Sequence, residues 1–309
     1  MKWVPIVHIY QPPFQNQEIV NKVINEAYLN IIDILKRNKK FKINLNISGS
    51  LTEKLIEGGY QKIVNAFKNL AEKGQIEFLA SAMYHPILPL IPRKEIERQI
   101  ELNYNINRRY FGSIYKPKGF FPPELAVDFK LASFLDKKGF SWLILDETSA
   151  KGKILQQPSR IDNLDILGFF RERKLTDALE NPQKFFEIVE KRNKRNILVT
   201  AHDGEMWGHN WAKGHISIEK IIRSSDIETA LISQIINKTS KEIKSINIRP
   251  SSWVNNIRRL KKEGPYPLWN DRKNQIQKKM WLLVRLVAKI ITEIDPKDKG
   301  YEWARKNLD

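Results

Sequence analysis

The chain has 309 residues, 41% of them hydrophobic and 28% charged, a balance typical of a soluble globular protein. It contains no cysteine, which excludes disulfide bonds and thiolate metal ligands. The formal net charge is +18. Because the basic residues are spread along the chain and accompany no nucleic-acid-binding motif, this charge indicates a lysine-rich surface. We therefore predict no nucleic-acid partner.

The amino terminus, MKWVPIVHIYQPP, has a short apolar run that soon reaches a histidine and two prolines. That run is too short and too polar for a signal peptide, and no stretch of about 18 apolar residues occurs elsewhere. We predict no membrane partner and a cytoplasmic location.

Seven short segments rich in β-branched and aromatic residues predict strands. They cover residues 2–10, 42–48, 76–82, 118–124, 141–147, 165–172 and 196–203. Most are continuously apolar, as expected for strands buried on both faces. Apolar residues spaced three and four apart predict helices between them. These helices cover 18–38, 51–74, 93–112, 126–139 and 181–194, whereas 148–164 is predicted to be irregular.

Strands that alternate with helices predict an α/β fold with a parallel sheet. Seven such units favour a closed or nearly closed barrel resembling the eight-stranded (β/α) barrel, with an open doubly wound sheet as the alternative. We assign the barrel to residues 1–212 and a mainly helical segment, packed on the barrel, to 213–309. Neither a GxGxxG nor a Walker motif is present to indicate a nucleotide site.

Nearly every predicted strand ends in polar or ionisable residues. In chain order these are His8 and Gln11, Ser48 and Ser50, His85, Glu124, Asp146 and Glu147, Arg171 and Glu172, then His202, Asp203 and Glu205. Because the carboxyl ends of parallel strands meet at one end of a barrel, this pattern predicts a shared polar pocket. The plainer interpretation is that strands simply reach water at these positions.

Two of these carboxylates, Glu124 and Asp203, stand beside aromatic residues, in GFFPPELAVD and TAHDGEMWGHNW. Glycoside hydrolysis uses two carboxyl groups, one ionised and one protonated, and aromatic rings can stack on sugar faces. A tryptophan near an acid is more often ordinary core packing, so the aromatic residues alone are weak evidence.

These segments make the chain resemble glycoside hydrolase family 57, whose members include α-amylases, 4-α-glucanotransferases, amylopullulanases and branching enzymes. The similarity extends over four of that family's five sequence regions, including HIYQPP (8–13) and GQIEFLASAMYHPILPLI (74–91). The resemblance implies an incomplete (β/α)7 barrel followed by a helical segment.

The resemblance also implies roles for individual residues. Glu124 would be the nucleophile and Asp203 the acid/base of a retaining reaction on an α-glucan or maltooligosaccharide, with no cofactor and no metal. The substrate would be bound by His8, Gln11, Glu77, His85, Glu205 and Trp207.

Two departures from the family pattern leave alternatives open. Tyr10 precedes Gln11 where the family usually has histidine, and the fifth region is not evident. A non-catalytic α-glucan-binding relative, lacking the segment that closes the cleft, is therefore one alternative. A metal-dependent polysaccharide deacetylase is the other, although the histidines form no His-x-x-x-His pair.

Overall fold

Seven parallel strands surround the centre of the molecule in a computed structural model that describes residues 1–193, 197–224, 227–237 and 243–308. They are β1 (Lys2–Ile9), β2 (Ile43–Ile47), β3 (Ile76–Leu79), β4 (Gly119–Phe120), β5 (Trp142–Asp146), β7 (Leu167–Arg171) and β8 (Ile197–Asp203). A further short strand, β6 (Ser159–Ile161), is not one of these seven. Hydrogen bonding joins them in the orders β3-β2-β1-β8 and β4-β5-β7.

Sparse backbone contacts join the two halves of the barrel. Between β3 and β4, Ala80 pairs with Phe120 in a single parallel bridge. Between β7 and β8, the backbone N–H of Glu172 donates to the carbonyl of Val199 at 3.0 Å. This arrangement confirms the predicted incomplete (β/α)7 barrel.

Most side chains inside the barrel are apolar, with Asn44, Asn46 and Glu77 of β2 and β3 as polar exceptions. Alternate strand residues point inward, and they include Val4, Ile6, Leu79, Phe121, Ile144, Phe169, Val199 and Ala201, all within one buried cluster. With the same alternation, the next inward residues of β1 and β8 are His8 and Asp203. Polar side chains therefore point inward at the carboxyl end of the barrel.

Helices cover the outside of the strands. They are α1 (Gln17–Val23), α2 (Leu29–Arg37), α3 (Gly49–Glu57), α4 (Gln61–Glu72), α5 (Arg93–Phe111), α6 (Phe129–Lys137), α7 (Arg173–Asp177) and α8 (Pro182–Glu190). A π-helical turn, Ile24–Tyr28, joins α1 to α2, so the predicted 18–38 helix is continuous in direction but not regular.

Three local predictions were wrong. The single helix expected over 51–74 is broken at Gly58–Gly59, where Gly59 adopts a φ of +79° that helical residues do not use. The strand expected over 118–124 is only Gly119–Phe120, because Pro122 and Pro123 have no N–H to donate to a neighbouring strand. The stretch expected to be irregular contains β6, which pairs antiparallel with β7.

The carboxyl-terminal segment is mainly helical. It contains α9 (Gly214–Ser224), β9 (Glu228–Thr229), α10 (Ile232–Ile236), β10 (Ser245–Ile246), α11 (Ile257–Glu263), α12 (Pro267–Asn270), α13 (Gln275–Glu293) and α14 (Tyr301–Leu308). β9 pairs with β1 and β10 with β6, so both short strands attach this segment to the sheets. Among the described residues, no helix has the length and apolar content that a membrane crossing requires.

One contact between the carboxyl-terminal helices and the barrel lies close to Glu124. Ala126 belongs to a buried cluster with Ile87, Leu90 and Tyr266, against which Trp269 and Trp281 pack. The Tyr266 hydroxyl also donates to the carbonyl of Val127 at 2.8 Å. Helices α12 and α13 therefore support the backbone immediately after Glu124.

Candidate active site

The backbone at the end of β4 is held in an uncommon conformation. Glu124 and Leu125 have φ values of 60° and 47°, and His85, in the loop after β3, has a φ of 60°. Left-handed conformations of residues other than glycine cost about 1–3 kcal/mol each and are concentrated at functional sites. Here the left-handed residues include Glu124 and His85, whose side chains contact each other.

Both carboxylate oxygens of Glu124 accept hydrogen bonds. His85 Nε2 lies 3.1 Å from Glu124 Oε1, and Trp253 Nε1 donates to Oε2 at 2.7 Å. With its proton on Nε2, His85 donates to this oxygen. The backbone N–H of Trp253 also donates to the Glu124 carbonyl at 3.0 Å. These three contacts fix the orientation of the Glu124 side chain and backbone.

Four rings stack in a row beside this carboxylate. Their centroids are separated by 4.4 Å for Tyr10 and His85, 4.8 Å for His85 and His8, and 4.8 Å for His8 and Phe121. His8 Nδ1 donates to Asn46 Oδ1 at 2.7 Å. Burial and the neighbouring His85 lower the pKa of His8 well below its usual value, so His8 is neutral and its Nε2 can accept a hydrogen bond.

Asp203 ends β8 in register with His8 of β1. Burial, followed by the negative charges of Glu205 and Glu124, raises the pKa of Asp203 to about 7, and the positive charge of Arg171 opposes this rise. Asp203 is therefore largely protonated just below neutral pH. The influence of Glu124 on Asp203 indicates that the two carboxyl groups belong to one electrostatic environment.

Glu205 is buried beside Asp203 and is held by two donors. Its Oε1 accepts from Gln11 Nε2 at 2.7 Å and from the Tyr28 hydroxyl at 2.9 Å. Burial raises the pKa of Glu205, and these hydrogen bonds oppose the rise. Gln11 and Glu205 thus form one polar pair in the same region as Asp203.

Two of the predicted substrate-binding residues lie elsewhere. Glu77 is in register with Asn44, two residues and about 6.6 Å nearer the amino end of the barrel than the layer formed by Asn46 and Leu79. There Glu77 Oε2 accepts the backbone N–H of Ser233 at 3.0 Å, at the start of α10. The structure does not bring Glu77 to the other predicted site residues, and our proposal for the site omits it.

Trp207 is 1% exposed and packs in the core between the strands and the outer helices. Its Nε1 donates to His202 Nε2 at 2.8 Å, and His202 points outward because it alternates with the inward Asp203. Trp207 is therefore a core residue in this structure, and its position gives no support to a substrate contact.

Sequence reasoning missed Trp253, and it named Arg171 as a strand-end residue without giving it a role in the site. Trp253 lies between β10 and α11, in a stretch with neither strand nor helix periodicity to mark it. Arg171 was recognisable as a charged residue at a strand end. Its Nη1 lies 3.2 Å from Asp146 Oδ2, and its guanidinium group lies 5.4 Å from the centre of the Trp253 ring.

The donor set around Glu124 and Asp203 consists of imidazole, indole, amide and hydroxyl groups. Within the described ranges, no group of three or more histidine, aspartate and glutamate side chains is arranged to hold a metal ion. A deacetylase of the metal-dependent kind would need such a group.

The protein is a parallel (β/α) barrel in which Glu124 follows β4 and Asp203 ends β8, both at the carboxyl end of the barrel. The particular family follows from the sequence match to glycosyl hydrolase family 57 over residues 5–248, and the chain belongs to that family.

Relatives by sequence are much longer than this chain. Alpha-amylase 1 of Dictyoglomus thermophilum is 30% identical over 215 residues, which cover 65% of this chain and 31% of that protein. The 4-alpha-glucanotransferase of Thermococcus litoralis is 26% identical over 141 residues, 46% of this chain and 21% of that protein. The matched region thus spans less than a third of either relative.

Solved structures with low identity show the same fold. The 4-alpha-glucanotransferase from Thermococcus litoralis superposes with a TM-score of 0.82 at 19% identity, covering 100% of this chain and 55% of that one. A GH57 branching enzyme from Thermococcus kodakaraensis gives 0.80 at 17% identity, covering 99% and 83%. A polysaccharide deacetylase from Mycobacterium smegmatis gives 0.58 at 12% identity, covering 79% and 92%.

Proposed function

We propose that the protein is a retaining glycosidase or glucanotransferase that acts on α-glucans, with Glu124 as nucleophile and Asp203 as acid/base. The observation that carries this proposal is the contrast between the two carboxyl groups. Glu124 Oε2 accepts from the Trp253 indole and Oε1 contacts His85 Nε2, whereas burial and neighbouring anions raise the pKa of Asp203 to about 7. Unequal environments of this kind separate a nucleophile from an acid.

In the first step, Asp203 donates its proton to the glycosidic oxygen while a Glu124 oxygen forms a bond to the anomeric carbon. The bond between that carbon and the departing oxygen breaks, and a glycosyl-enzyme forms. In the second step, the Asp203 carboxylate takes a proton from water or from a sugar hydroxyl, whose oxygen displaces Glu124. Two inversions at the anomeric carbon give overall retention.

The remaining polar groups suit a neutral sugar. His8 Nε2 is available as an acceptor, and the Gln11–Glu205 pair can both donate to and accept from hydroxyl groups. The family relatives named as amylase and glucanotransferase support an α-glucan as the substrate class. Water and sugar compete for the same intermediate, so hydrolysis and transfer share this mechanism.

Products formed from maltoheptaose test this proposal. Shorter maltooligosaccharides alone would support hydrolysis, and a ladder of shorter and longer ones would support transfer. Folded protein that binds maltoheptaose and leaves it intact would contradict the catalytic proposal and favour a non-catalytic binding protein. The proposal would also be contradicted if the protein removed acetyl groups from a polysaccharide without cleaving glycosidic bonds and EDTA abolished that activity. This result would favour a metal-dependent deacetylase.

The pH dependence of kcat/KM should follow the protonation of Asp203. Since the acid must be protonated and its pKa is about 7, kcat/KM should fall about tenfold per pH unit once the pH rises above that value. Glu205→Gln keeps an acceptor for Gln11 and Tyr28 but removes a negative charge. It should therefore lower the pKa of Asp203 and move the alkaline limb to lower pH. An unmoved limb would show that Asp203 does not set it.

The Trp253 indole should contribute measurably to turnover. Trp253→Phe keeps an aromatic ring beneath Arg171 but removes the donor to Glu124 Oε2. A hydrogen bond to a charged group contributes about 1.5–3 kcal/mol, so kcat/KM on maltoheptaose should fall about 10- to 150-fold. The matched control is Trp303→Phe, since Trp303 is 72% exposed on α14. Equal activities of the two variants would contradict a role for this contact.

A further inference from the structure

A second concavity opens at the same end of the barrel as Glu124 and Asp203. It has a volume of 270 Å³ and is lined by Pro13, Phe14, Ser50, Glu53, Lys54, Glu57 and Tyr84. These residues follow β1, β2 and β3 in the chain, and the same three loops carry Gln11, Ser48 and His85. The concavity therefore adjoins the active site along three consecutive strands.

Phe14 is the most conspicuous side chain of this concavity, because it is 88% exposed. A fully solvated phenylalanine does not stabilise a core. The loop that bears it is tied down, since Lys54 Nζ donates to the Pro13 carbonyl at 3.1 Å. This bond fixes the residue before Phe14 against α3, so the ring is presented from an anchored loop.

The concavity is also lined by two carboxyl groups, Glu53 and Glu57, one turn apart on α3. Burial and the charge of Glu57 raise the pKa of Glu53, while Arg109 opposes the rise. Hydroxyl donors supplied by a neutral ligand would satisfy these acceptors without adding charge. An apolar ring and hydroxyl acceptors that line one concavity match a pyranose, which has an apolar face and a rim of hydroxyl groups.

We propose that this concavity binds a glucose unit of the same glucan chain, at a distance from the bond that is cleaved, with Phe14 as the stacking platform and Glu53 and Glu57 as hydroxyl acceptors. This inference rests on the proposed function for the identity of the ligand. It predicts a preference for long substrates, because a short one cannot occupy both places.

Binding and turnover with ligands of two lengths test the inference. Phe14→Ala should weaken maltoheptaose binding, measured by calorimetry, and lower kcat/KM on it about tenfold, the equivalent of ~1.4 kcal/mol. Turnover of α-glucosyl fluoride, whose single glucose unit cannot occupy both the active site and the concavity, should stay unchanged. The double substitution Glu53→Gln/Glu57→Gln should behave in the same direction. The matched control is Phe129→Ala, a 43% exposed phenylalanine on α6.

The outcomes separate this inference from the proposed function. Wild-type turnover of maltoheptaose with no change in Phe14→Ala, or an equal loss on both substrates, would overturn the inference alone. A wild-type protein that is inert, yet binds maltoheptaose more tightly than Phe14→Ala does, would overturn the proposed catalysis and support the inference.

Discussion

Glu124→Gln is expected to lower kcat on maltoheptaose by about 10⁴-fold or more, because the amide cannot form the covalent intermediate. The substitution preserves the shape of the side chain. Its amide oxygen can accept from Trp253 Nε1, and its amide N–H can donate to His85 Nε2 when the His85 proton is on Nδ1. A normal melting temperature should therefore accompany the loss. The matched control is Glu147→Gln at the end of β5, where the carboxyl group accepts the backbone N–H of Arg173 and not a site residue.

Rescue by azide adds a stereochemical test of the role of Glu124. With Glu124→Ala, azide should enter the vacated space and attack the anomeric carbon directly, which yields the β-glycosyl azide. Near wild-type turnover by Glu124→Gln in correctly folded protein would exclude Glu124 as the nucleophile.

Asp203→Ala is expected to have the second large effect, and it should depend on the leaving group. On maltoheptaose, both protonation of the departing oxygen and activation of the acceptor are lost, and general acid/base catalysis typically contributes about 10²–10⁴-fold. With α-maltosyl fluoride, departure needs no proton, so the first step should proceed and the second should stall. Azide should then release the retained α-glycosyl azide. Because kcat/KM reports the first step, it should fall on maltoheptaose and stay near the wild-type value on α-maltosyl fluoride. Equal losses of kcat/KM on both substrates would argue against an acid/base role.

The fold was predictable because its strands and helices have strong periodic signals. Continuous apolar runs such as KWVPIVHIY correspond to β1, and the strand period places His8 and Asp203 inward at the carboxyl end. The errors came from glycine and proline residues, which interrupt a helix or a strand despite the periodic pattern around them. Gly58–Gly59 divides a helix, and Pro122–Pro123 shortens β4 to two residues.

The site was only partly predictable, since strand ends indicate an end of the barrel but not which side chains meet there. Trp253 reaches Glu124 from a region 129 residues further along the chain, with no periodic signal to place it. Conversely, Glu77 belongs to a strand that contributes to the barrel, but it lies near the amino end and caps α10. The family resemblance predicted that Glu77 and Trp207 contact substrate. Strand register places Glu77 nearer the amino end of the barrel, and side-chain packing places Trp207 in the core.

The most direct test of the central assignment is the covalent state of Asp203→Ala during turnover of α-maltosyl fluoride. Rapid quenching, proteolysis and mass spectrometry should find a maltosyl group on Glu124, within GFFPPELAVD, and the adduct should disappear when azide is added before the quench. Fluoride release without an adduct at Glu124, or an adduct on another residue, would contradict the assignment of Glu124 as the nucleophile.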